Sequence, residues 1–138
     1  MSEWRWRALT LEMFPELRKE IKRARSAHGV FFELLPALEQ AYRAVPADED
    51  RIRRIYTYAS WCLAPEQHRD EYEAALASFY EHLPDLEPAW RDLPRRATPR
   101  ELSILREHLR RYLDPPEFAR VMAELDAAAE ALPTRPAV

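Results

Sequence analysis

Apolar residues recur at three- and four-residue intervals along most of this chain, which is the spacing of one helix face. Leu11, Phe14, Leu17, Ile21 and Ala24 share a face and predict a helix over 11–26, with Pro15 in its first turn and a basic tail at its end. His28-Gly29 then reads as a stop, with Gly29 as a left-handed cap. Val30, Leu34, Leu35, Leu38, Ala41, Tyr42 and Val45 predict a second helix over 30–45. Pro36 is compatible with a start near Glu33, whereas a start at Val30 requires a kink.

Ile52, Ile55, Tyr56, Ala59, Cys62 and Leu63 predict a third helix over 48–63, capped by Asp48 or Asp50 and supported by Glu49–Arg53 and Asp50–Arg54 pairs. Pro65 ends it. Tyr72, Ala75, Leu76, Phe79 and Leu83 predict a fourth over 66–83, stopped by Pro84. Residues 84–97, with three prolines and an isolated Trp90, predict a long connection. Thr98-Pro99-Arg100-Glu101 is a capping box that opens a fifth helix over 98–113, with Leu102, Leu105, Leu109, Tyr112 and Leu113 inward. Asp114-Pro115-Pro116-Glu117 repeats that device for a sixth helix ending near Leu132, with Phe118, Val121, Met122, Leu125 and Ala129 inward. Residues 1–10 alternate Trp4 and Trp6 with Arg5 and Arg7, a pattern that fits an extended arm or the first turn of a helix. No period of solenoid length recurs.

The architecture these segments imply is all-α: a compact single-domain bundle of five or six mostly antiparallel helices over 1–132, followed by a short C-terminal tail over 133–138. Composition agrees. Gly29 is the one glycine, while sheets need glycine at hairpin turns and bulges. The 12 prolines punctuate helices. With 138 residues, 47% of them hydrophobic and 33% charged, the chain has a globular composition.

Charge sets the partner classes. The net charge is −3, from 21 basic and 24 acidic residues. Nucleic acid is therefore not an expected partner. Arg18, Lys19, Lys22, Arg23 and Arg25 make a basic patch, as do Arg106, Arg110 and Arg111, but Glu16, Glu20 and Glu107 offset them in sequence. No apolar leader and no run of membrane-spanning length is read, so a membrane is not expected either. The lone Cys62 cannot form an internal disulfide, which fits a reducing, cytoplasmic location.

The expected chemistry is sparse. No histidine is preceded by glutamate at the three-residue spacing of a di-iron bundle, and no two histidines are four apart as in zinc hydrolases. No metal and no cofactor are expected. Cys62 sits on an apolar helix face near a C-terminus, whose negative end disfavours a thiolate, so it reads as packing. Asp70, Glu71 and Glu73 read as a solvated face.

What stands out is a second side of the third helix. Arg51, Arg54, Tyr58 and Trp61 fall away from its core stripe, and Arg, Tyr and Trp are enriched among residues that dominate binding energy. The face is either a layer buried between helices or an exposed anchor patch. Trp4, Trp6 and Trp90 pose the same question. These seven residues are the partner-binding candidates, and the corresponding expectation is a non-enzymatic protein-binding module that blocks a partner's surface. In size and sparse chemistry the chain looks like the small helical bacterial proteins that bind another protein, including immunity proteins, antitoxins and adaptors; no motif carries that likeness. The alternative is a small molecule, or an enzymatic substrate, in an interhelical pocket lined by Tyr56, Tyr72, Tyr80 and His82. A homodimeric scaffold is the third reading.

Overall fold

The computed structural model of the chain describes residues 2–65 and 69–132, the first three of these by backbone alone. The described residues are helical throughout, with no strand. They form eight α-helices where five or six were expected: α1 (Ser2–Met13), α2 (Arg18–Arg23), α3 (Ala27–Arg43), α4 (Glu49–Cys62), α5 (Arg69–Ser78), α6 (Glu87–Arg96), α7 (Pro99–Tyr112) and α8 (Pro115–Glu130). Two 3-10 stretches, Pro15–Leu17 and Tyr80–Asp85, link α1 to α2 and α5 to α6. The expected start of the fourth helix at 66–68 and the tail over 133–138 lie outside the described residues.

The extra helices come from prolines and their neighbours. A helix over 11–26 does not form as one piece. Pro15 has no N–H to continue the ladder, and the residue before a proline is pushed out of the α region. Phe14 accordingly sits at φ −129°, ψ 64°. The segment therefore divides into the end of α1, a 3-10 turn opened by Pro15, and the short α2. Of residues 1–10, the described ones, 2–10, fall on the helical side of the expectation, in α1.

Gly29 is not a left-handed cap. It lies in the first turn of α3, and its N–H donates to Oγ of Ser26, the residue that caps this helix. A β-carbon at Gly29 would stand 3.3 Å from that of Ala24, so glycine is what lets α3 start this close to the end of α2. Helix α3 then runs through Pro36 and does not wait for Glu33. The hydrogen bond Pro36 forfeits is to the carbonyl of Phe32, and both residues are exposed, which places the loss on the solvent side. Val45 lies past the end of α3 and is fully exposed, not part of its apolar side.

The segment 84–97 is helix, not loop. Pro88 stands in the first turn of α6, where its missing N–H costs nothing, and Pro94 removes a single bond near the end. The buried Ala89, Trp90 and Leu93 hold the helix down.

The chain divides into two compact units, residues 1–82 and 83–138. In the first, α3 packs on α2, α4 and α5. Its interior is a chain of rings: Phe14 meets Tyr58, Tyr58 meets Phe31, Phe31 meets Phe79, and Phe79 meets Tyr56 and Tyr80, with centroids 5.0–6.4 Å apart. In the second, α8 packs on both α6 and α7 through Val121, Met122 and Leu125. The capping box of α7 closes in both directions: Thr98 N–H donates to Glu101 Oε1 at 2.9 Å, and Glu101 N–H donates to Thr98 Oγ1 at 3.1 Å. Two positions read as inward face solvent instead, Tyr112 and Ala129.

Candidate functional site

Helix α4 presents Arg51, Arg54, Tyr58 and Trp61 along one side, and most of this side is spent within the chain. Asp48 caps the helix by accepting from the Arg51 N–H at 3.1 Å. Asp50, one residue into the helix, receives both Arg53 and Arg54 at 2.7 and 2.8 Å. Arg54 then extends to the turn after α1. Its two terminal nitrogens donate to the two carboxylate oxygens of Glu16 at 3.1 and 2.8 Å, and one of them also donates to the Met13 carbonyl at 2.7 Å. Its guanidinium lies over the Phe14 ring at 5.4 Å. Arg51 adds a third contact to Glu16 at 3.2 Å. The hydrogen bond from Arg54 holds the Glu16 carboxyl below the usual glutamate range. The two arginines therefore clamp the broken end of α1 to α4. Glu16, which the sequence offered only as a counterweight to a basic patch, is the centre of the clamp.

Beyond the clamp the face becomes aromatic. Tyr58 is fully buried against Phe14 and Phe31. Trp61, one helical step further, stacks on Tyr58 at 5.9 Å with 20° between the rings. Trp61 is half-buried, as are Arg51 and Arg54, so the face is neither a wholly buried layer nor an exposed patch; of its four residues Tyr58 is the fully buried one. On the outer side of Trp61 stands Arg5 of α1, its guanidinium 5.8 Å from the ring centroid. Arg5 is exposed and has no ion-pair partner among the described residues. The sequence had noted Arg5 only as part of an alternating N-terminus; nothing local to it signals this placement.

The other tryptophans sit differently. Trp6 is buried, with the Arg7 guanidinium over its ring at 5.0 Å. Arg7 in turn donates to the carbonyls of Lys22 and Ala24, which caps the end of α2 with a cation. Trp90 is buried in the second unit, where its indole N–H donates to the Val121 carbonyl at 3.1 Å. Neither ring offers a surface as it stands; Trp90 fastens α6 to α8. The side chain of Trp4 lies outside the described residues.

Cys62 is fully buried one turn beyond Tyr58, and burial, reinforced by the negative charge of Glu71, pushes its thiol up to about 12. The Tyr58 hydroxyl is pushed up by the same burial. Glu71 corrects the expectation of a solvated acidic face: it is 2% exposed, in the first turn of α5, and its Oε2 has no hydrogen-bond partner among the described residues. The Tyr58 hydroxyl, beside the Cys62 thiol, has no well-formed one among the described residues either. No histidine among the described residues joins this group. His28 shares a hydrogen bond with Ser78 Oγ at 2.6 Å, His82 is exposed, and His108 lies against Tyr112. His68 lies outside the described residues. Among the described residues no three of His, Cys, Asp and Glu gather as metal ligands would.

The residues of the alternative pocket lie in different settings. Tyr56 and Tyr80 are buried, and Phe79 packs edge-on against both, at 5.8 and 5.0 Å. The Tyr56 hydroxyl accepts from Tyr42 at 3.3 Å, Tyr72 is half-buried and His82 faces solvent. An open cleft of about 820 Å³ lies elsewhere, in the second unit, between α6 and the end of α8, with Trp90, Ala127, Ala128 and Leu132 lining it beside Glu87, Arg91 and Glu124. No helix among the described residues is long and apolar enough to cross a membrane. No protein-family model matches the chain, and no curated protein sequence or solved structure matches it.

Proposed function

We propose that the chain is a non-enzymatic protein-binding module whose anchor is the ledge formed by Trp61 and Arg5. What carries the reading is the series Tyr58–Trp61–Arg5: a buried ring, a half-buried indole stacked on it, and an exposed guanidinium over the indole with no ion-pair partner among the described residues. Binding energy concentrates in such residues when they are held in place before the partner arrives, because little side-chain entropy is then lost on association. Arg54 and Arg51 contribute by fixing α4 against the turn after α1. The partner would lay an apolar side chain on the indole and bring a carboxylate to Arg5. The buried, unreactive state of Cys62 supports a role by contact in preference to covalent chemistry. Inhibition or adaptation by surface blocking, as immunity proteins and antitoxins do, is the mode this proposal favours.

Affinity capture from the native host tests it, comparing wild type with Trp61→Ala and Arg5→Glu after circular dichroism shows equal helicity. The expected result is one protein retained by wild type and lost from both variants. Equal capture by all three, or none by wild type, overturns the proposal.

A further inference from the structure

A separate surface, on the second unit, has its own logic. Tyr112, the last residue of α7, is 67% exposed, although its spacing from Leu109 predicts it inward. Its ring leans on His108 with centroids 4.6 Å apart, which steadies the tyrosine without covering it. Two charges of opposite sign flank it, Arg111 and Asp114, both exposed. Neither side chain has an ion-pair or hydrogen-bond partner among the described residues, and Asp114 makes no capping bond to α8 although it occupies the cap. The neighbouring arginines differ in this respect: Arg106 pairs with Asp126, Arg110 with Glu107, and Arg120 with Glu124.

The corner thus carries an exposed ring next in sequence to a cation and two residues before an anion, neither answered among the described residues. Such a patch is complementary to itself. In a two-fold dimer residue i of one copy meets residue j of the other, and j meets i, so a single geometry satisfies both charges twice. A uniformly acidic partner would answer Arg111 and repel Asp114; a basic one would do the reverse. We propose that the α7–α8 corner is a contact between two copies of this chain, with the Tyr112 rings packed across the axis and Arg111 of each copy paired with Asp114 of the other. A contact confined to one corner is small beside the roughly 800 Å² per partner of a standard stable interface, so the dimer dissociates on dilution.

Sedimentation velocity across a concentration series up to about 1 mM reads this directly. Wild type is expected to move from the 16.3 kDa chain mass towards twice that value. Arg111→Asp and Asp114→Arg each set like charges face to face and are expected to stay monomeric alone. Mixed in equal amounts they are expected to dimerise again, because each variant then supplies the charge the other lacks. Tyr112→Ala is expected to weaken the wild-type association. All three positions of change are on the surface, so folding is not at stake. A wild type that remains monomeric throughout, an Arg111→Asp variant that associates like wild type, or a mixture that stays monomeric overturns the inference.

Discussion

Arg54 grips both carboxylate oxygens of Glu16 across 38 residues of sequence, and with the same guanidinium it takes the Met13 carbonyl at the broken end of α1. The pair is about a quarter exposed on each side, so solvent screens it only in part. Removing the arginine leaves a carboxylate and a carbonyl short of a donor. Arg54→Ala is expected to destabilise the protein by about 1–2 kcal/mol in chemical denaturation.

The same pair predicts a pH dependence. The folded Glu16 carboxyl titrates below its ordinary value because Arg54 donates to it. Its stabilisation is therefore present above the unfolded glutamate pKa and is lost as pH falls through the lower folded value. The melting-temperature gap between wild type and Glu16→Gln is expected to be full near neutral pH and to close as pH drops below about 4. A gap that stays constant into acid would contradict the clamp.

Tyr58 inverts the usual expectation for a core substitution. Its ring is fully packed, while its hydroxyl is sealed from water beside the Cys62 thiol, with no well-formed hydrogen bond among the described residues. A buried, unpaired polar group costs about 1–3 kcal/mol. Tyr58→Phe keeps the ring contacts with Phe14, Phe31 and Trp61 and removes the orphan, so it is expected to leave stability unchanged or raise it. Tyr58→Ala, which deletes the ring, is expected to cost about 3–5 kcal/mol. Urea unfolding of the two variants separates the contributions of ring and hydroxyl.

Cys62 is expected to report global unfolding. A thiol held near 12 is almost wholly protonated at pH 8, and the residue is fully buried besides. Labelling by a disulfide reagent at pH 8 should be slow in the native protein and fast in denaturant. Rapid native labelling would mean that the α4–α5 region opens locally far more easily than its packing implies.

The helical class was legible because periodicity reports burial directly: Ile52, Ile55, Ala59 and Cys62 are all fully buried as their spacing requires. The extra helices were not, because proline carries two meanings. At Pro15 it breaks a helix, while at Pro88 it opens one and at Pro94 it is tolerated inside one. What separates these is tertiary packing, the anchoring of Trp90 against Val121 above all. The candidate face was half legible. Spacing placed Arg51, Arg54, Tyr58 and Trp61 together, but the residues that complete it come from elsewhere, Glu16 from a turn and Arg5 from α1. Long-range partners of this kind leave no local pattern.

The two capping boxes show how far a local signal reaches. Thr98-Pro-Arg-Glu101 and Asp114-Pro-Pro-Glu117 look alike in sequence, yet the first closes with two hydrogen bonds and the second with none from Asp114. A cap accepts from the N–H of the second or third helical residue. In α7 both of those residues, Arg100 and Glu101, have an N–H. In α8 the second is Pro116, which has none; Glu117 keeps the N–H that Glu101 uses in α7, yet the exposed Asp114 does not accept from it. Thr98→Ala is therefore expected to cost about 1 kcal/mol, and Asp114→Ala only a few tenths, through loss of its charge at the positive end of the helix dipole. Thermal melts at protein concentrations low enough to keep the chain monomeric compare the two substitutions on equal terms. A larger loss from Asp114→Ala than from Thr98→Ala would show that the second box closes in solution after all.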